Sequence, residues 1–111
     1  MNTLKNAGYV YLIKDAVEQS YKIGRTKNLV TRMRSLKTGN PNPIELVSYA
    51  VCNDTLKIEK RLHSMFEYRR RKRKEWFDLD LQEIEGLKKL LIQITLDDKH
   101  ERNIDRYWFS P

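Results

Sequence analysis

The sequence is short of cysteine, of acid relative to base, and of long apolar runs. Its one cysteine, Cys52, excludes an internal disulfide, and without a partner thiol a structural zinc cage is not expected. Cys52 reads instead as a small buried apolar residue at the end of a strand. No apolar stretch approaches the ~20 residues that span a bilayer as a helix, so no membrane partner is expected. The opening MNTLKNAGYV lacks a signal peptide's apolar centre and small-residue cleavage site, and the expected location is cytoplasmic. No internal repeat and no linker long enough to divide the chain is found, so residues 1–111 are expected to form a single domain.

What is present suits a folded nucleic-acid binder. Hydrophobic residues make up 40% of the chain and charged residues 33%, a balance of folded rather than disordered proteins. Twenty-two Lys and Arg oppose fifteen Asp and Glu, a net charge of +7. That excess favours a polyanionic partner, with nucleic acid ahead of an acidic protein or a membrane surface. It speaks to encounter and not to chemistry.

The stretch GYVYLIKDAVEQSYKIGRTKNLVTRMR, residues 8–34, organises the rest. Two strand-like runs, Gly8 to about Lys14 and about Ser20 to Arg25, flank the connection DAVEQS. Side chains alternate faces along a strand, so Tyr9, Tyr11 and Ile13 share one face and Val10 and Leu12 the other. In the second run Lys22 and Gly24 share a face, and Tyr21 and Ile23 take the opposite one. A helix follows, capped by Thr26 or Asn28, with Leu29, Met33 and Leu36 at helical spacing and a stop at Gly39. An amine, phenols and arginines from this region are placed to converge on an anion.

The remaining elements follow from the same rules. Thr38–Pro43 reads as a loop and Ile44–Cys52 as a third strand. Asn53 or Asp54 caps a second helix, with Ile58, Leu62, Met65 and Phe66 on one face. Six bases follow, Arg69, Arg70, Arg71, Lys72, Arg73 and Lys74, and then a short strand or extended arm over Glu75–Leu79. Asp80 and Glu83 have capping-box spacing and open a third helix striped by Leu81, Ile84, Leu87, Leu91 and Ile94. Beyond Asp97 the chain is charged, and it closes on Tyr107-Trp108-Phe109. The expected fold is α/β in the α+β sense: a small three-stranded mixed sheet flanked by about three helices.

In this order the pieces resemble the core of the GIY-YIG nuclease superfamily, in its T5orf172 or MUG113 version. Val10-Tyr11 matches the first motif, and Tyr21-Lys22-Ile23-Gly24 with Arg25-Thr26 the second. Arg32 comes next, then Glu59 with Leu62-His63, and last Glu75-Trp76-Phe77. The resemblance covers roughly residues 8 to 79, leaving 80–111 as a C-terminal helix and tail. It implies a metal-dependent DNA endonuclease in a bacterial or phage-infected cell. By the resemblance Glu59 is the ligand of a single Mg2+ or Mn2+, Tyr11 handles the proton or position of the attacking water, and Arg32 contacts phosphate. An arginine's planar fork suits that last role, because it holds two phosphate oxygens and keeps its charge. Lys22 and His63 complete the implied catalytic set.

Two departures stand out. Lys22 occupies the place where the second motif usually carries tyrosine, as is usual in the T5orf172-type subgroup. Glu75-Trp76-Phe77 stands where many relatives place a closing asparagine. Each site residue also has an ordinary reading: Tyr11 as strand packing, Arg32 along a helix edge, and Glu59 with His63 as an i, i+4 surface pair. DNA-backbone contact is expected from Arg25, Lys27 and Arg34, and from the run of six bases. Alternative functions are a DNA-binding module of the same fold without turnover, or a regulator that docks on an acidic protein. A homodimer or a partner protein would supply target specificity.

Overall fold

The computed structural model describes residues 5–71 and 75–107. Its elements run β1 (Gly8–Asp15), β2 (Ser20–Thr26), α1 (Leu29–Gly39), β3 (Ile44–Cys52), α2 (Thr55–Met65), a 3-10 turn (Glu67–Arg69), β4 (Trp76–Phe77) and α3 (Leu81–Tyr107). The fold is α+β, as expected, with three helices. The sheet corrects the expectation in two respects. It has four strands in the order β3-β1-β2-β4, and all its pairings are antiparallel rather than mixed. The fourth strand exists because Tyr21 and Lys22 of β2 pair with Phe77 and Trp76, and the chain just before it bridges back through Arg70.

The period-two pattern of β1 divides the interior. Val10 and Leu12, with Tyr21 and Ile23 of β2, face a core closed by Leu62 and Phe66 and by Ile84, Leu87 and Leu91 of α3. Tyr11 and Ile13 face the other way, with Ile44, and are covered by Leu29, Met33 and Leu36 of α1 and by Trp76. Two stripe residues lie outside the expected core. Met65 is 49% exposed and Leu81 81%, the first at the edge of the α2 stripe and the second at the first position of α3. Cys52 is buried as expected, and burial foremost pushes its thiol up to about 11, with the Asp98 charge adding.

Local chemistry sets the element ends. The Asn28 side chain accepts from the Thr31 amide at 3.0 Å and opens α1, and Asp54 accepts from Lys57 at 3.1 Å to open α2. Asp80 and Glu83 make the expected reciprocal capping box: the Glu83 amide donates to Asp80 at 2.8 Å, and the Asp80 amide to Glu83 at 2.9 Å. On the β3 edge, the Val51 amide donates to the Thr95 hydroxyl at 2.9 Å and the Asn53 amide to Asp98 at 2.6 Å, both from α3. Among the described residues no helix is long and apolar enough to cross a membrane.

A buried acid holds the far end of the sheet together. Asp15, 5% exposed, accepts hydrogen bonds from the Val17 and Glu18 amides at 3.0 and 2.9 Å, and from the side-chain amides of Asn40 and Asn42 at 3.2 and 3.1 Å. It therefore ties the β1–β2 turn to the α1–β3 loop. Burial acts to raise its pKa, but these four donors together outweigh it and hold the carboxyl below the usual aspartate range. Asp15→Ala is expected to cost about 1–3 kcal/mol in urea unfolding, the penalty for orphaned buried donors. Because the folded state prefers the carboxylate, this contribution is complete at neutral pH and fades as pH falls from about 4 downward. Asp15→Asn should flatten that acid limb of the stability curve, which urea titrations between pH 3 and 7 would read out directly.

Candidate active site

Tyr11 occupies the centre of β1, opposite Gly24 of β2 in the hairpin register. Its ring crosses the Gly24 backbone so closely that a Cβ there would lie 2.5 Å from Tyr11 Cζ. Glycine is needed here for space rather than for an unusual backbone angle. The phenol, buried with its ring, accepts a hydrogen bond from Arg32 Nε at 3.2 Å. Arg32 reaches it from α1, the helix that the Asn28 cap starts directly after β2.

Lys22, two residues before Gly24, faces the same side and is only 6% exposed. Its ammonium donates to Glu75 Oε2 at 2.8 Å. Hydrogen bonding from Lys22, and after it the Lys22 charge, holds the Glu75 carboxyl below the usual range against the opposing effect of burial. The Arg32 charge adds to the lowering.

The last members come from α2. Thr55 fixes the start of this helix by donating its hydroxyl and its amide to the Asn6 carbonyl at 2.7 and 2.9 Å. Leu62 seats one face in the core, and His63 Nε2 lies 2.7 Å from the Ile23 carbonyl. A carbonyl can only accept, so this nitrogen carries a proton and Nδ1 is the ring nitrogen left to exchange one. Glu59, one turn earlier, is 22% exposed at its side chain, with Arg25 Nε 3.8 Å from Oε1.

All five residues of the expected catalytic set line one cleft of about 160 Å3: Tyr11, Lys22, Arg32, Glu59 and His63, joined by Arg25 and Glu75. Three basic side chains thus face two carboxylates, with a phenol and an imidazole between them. Such a cleft accepts an anion with several oxygens. The cleft lies where β2, α1 and α2 meet, and residues as far apart in the chain as Tyr11 and Glu75 share it.

The other expected DNA contacts are more dispersed. Lys27 is exposed at the β2–α1 junction. Arg34 is exposed on another side of α1, beside Leu29, Val30 and Leu46. Arg69 pairs with Asp80 at 3.2 Å and Glu83 at 3.1 Å, Arg70 with Glu67 at 2.9 Å, and Arg71 with Asp78 at 3.2 Å. Arg70 also lies over the Phe77 ring, 5.0 Å from its centroid. These three arginines tie the turn and β4 to their neighbours and do not line the cleft. Lys72, Arg73 and Lys74 lie outside the described residues, as do Trp108 and Phe109 of the tail. The functional candidate that the sequence leaves undecided is Glu75, for which a surface residue and an outer-sphere acid read alike until the β2–β4 register places it on Lys22.

The family model of the T5orf172 domain matches residues 8–92, most of the chain and all of the cleft residues. The chain belongs to the T5orf172 family. No curated protein and no solved structure matches it. Membership in this family marks it as a nuclease-like, DNA-binding module.

Three outcomes follow for T5orf172 residues in and outside the cleft. Gly24→Ala forces the Tyr11 ring off β2 and should cost about 1–3 kcal/mol in urea unfolding, the usual penalty of overpacking. Arg25→Ala should shallow the salt dependence of DNA affinity by about 0.9 in log–log slope for each phosphate that Arg25 neutralises. Arg69→Ala should instead lower the melting temperature and leave the slope in place, and fluorescence anisotropy over a salt series separates the two.

Proposed function

We propose that this T5orf172 protein is a metal-dependent DNA endonuclease that hydrolyses phosphodiester bonds. One observation carries the reading: a phenol, a lysine, an arginine, a glutamate and a histidine from four separate elements line the same small cleft. Binding DNA requires the cations but neither the buried phenol nor the glutamate, so the composition of the cleft supports chemistry beyond binding.

The donor set bears on which metal fits. Among the described residues no three His, Cys, Asp or Glu side chains group around one point, which does not fit a closed zinc site. Magnesium and manganese are different, because a hard ion keeps its waters and uses one or two carboxylates together with substrate phosphate oxygens. Glu59 fits that role, with its carboxylate in the cleft and a side chain 22% exposed. When bound, the metal polarises the phosphate and lowers the cost of deprotonating water.

The chain's own groups supply the rest. Arg32 grips phosphate oxygens with its terminal nitrogens while Nε holds the Tyr11 hydroxyl in place. That hydroxyl, accepting from Arg32, turns its own proton toward the cleft and orients the attacking water. Lys22 presents positive charge to the phosphoryl oxygens as negative charge builds in the transition state. His63, anchored through Nε2, offers Nδ1 as a proton acceptor on the α2 side.

Plasmid nicking with magnesium or manganese tests the reading. Wild type should nick, Arg32→Ala should slow nicking by about 10²- to 10³-fold, and Glu59→Ala should remove the metal response. Metal-free DNA binding without any cleavage by wild type would overturn the enzyme and leave a binding module of the same fold.

A further inference from the structure

We infer that Glu75 is a positioning residue of the cleft, whose carboxylate aims the Lys22 ammonium so that its remaining N–H groups meet an incoming phosphate. The inference rests on the phosphodiesterase reading for the identity of that anion.

Lys22 is 6% exposed, and an ammonium taken out of water needs a partner. Glu75 supplies it at 2.8 Å, and this is the single hydrogen bond that Lys22 Nζ makes among the described residues. An ammonium has three donors, so two remain, and Lys22 lines the cleft alongside Tyr11 and Arg32. A buried cation with spare donors beside a guanidinium is a seat for phosphate oxygens.

The pair is also built by backbone register. Lys22 stands opposite Trp76 in the β2–β4 ladder, which sets the preceding Glu75 at the mouth of the cleft. The Glu75 side chain is 71% exposed, so its own burial does not require the bond. The opposite role for the same contact has Glu75 competing with phosphate for Lys22. The two roles predict opposite signs when the carboxylate is removed.

A double-mutant cycle decides between them. Wild type, Glu75→Gln, Lys22→Met and the double variant are compared for affinity to a labelled duplex and for magnesium-dependent nicking, with Glu75→Asp as the conservative control. Lys22→Met keeps the buried stem, and circular dichroism melts confirm that each variant is folded. Glu75→Gln should weaken DNA binding modestly and slow kcat on the order of 10²-fold with KM little changed, the cost of a misplaced charge. Glu75→Asp should recover part of that loss. In the Lys22→Met background Glu75→Gln should have no further effect in either assay. Tighter binding by Glu75→Gln, or the same fold-loss in both backgrounds, would overturn the inference. If wild type binds DNA without nicking, the endonuclease reading fails alone and the binding cycle still decides the role of Glu75. Wild type that fails to bind DNA at low salt overturns both.

Discussion

The close passage of the Tyr11 ring over Gly24 is the constraint on which the cleft depends. A strand presents its side chains at fixed intervals, and a phenol at the middle of β1 would ordinarily meet a side chain from the neighbouring strand. With none at Gly24, the ring lies across β2 and its hydroxyl reaches Arg32 on α1. The same face of β2 then carries Lys22, two residues away and close to β4. One missing methyl group thus brings a strand, a helix and an edge strand into a common chemical space.

Charge is distributed in two ways over this small basic protein. Arg69, Arg70 and Arg71 meet carboxylates at the surface, where such pairs fasten segments together and are worth little individually. Lys22 meets its carboxylate from a buried position, where an uncompensated charge is costly. Arg25 stands between these cases, 3.8 Å from Glu59 and 41% exposed. The net positive charge read from composition therefore says little about which bases act. Burial and the partner of each base set the two kinds apart.

Local signals in the sequence were sufficient for much of this. The alternation in Tyr9–Ile13 and Tyr21–Ile23 assigned both sheet faces correctly, because period two is a property of the chain itself. Asn28, Asp54 and the Asp80–Glu83 box announced three helix starts by their own chemistry. What stayed hidden depended on register between distant segments. A short strand within Glu75–Leu79 was legible, but its antiparallel pairing with β2 and the Lys22–Glu75 bond were not. Asp15 looked like part of a polar turn, and its four donors arrive partly from a loop some 25 residues on. Leu81 fitted the helical stripe by spacing, yet at the first position of α3 it is exposed while Ile84 reaches the core.

The bonds from α3 to the edge of β3 have a consequence for how copies of the protein meet. An outer strand with free amides invites a strand from another molecule to add to it, the route by which many sheets aggregate. Thr95 and Asp98 occupy the outward amides of Val51 and Asn53 and close this half of the rim to newcomers. The helix is therefore a guard rail as well as a cover for the core. Loosening it would bare that rim and uncover the core it shares with α2, on a protein that had become sticky.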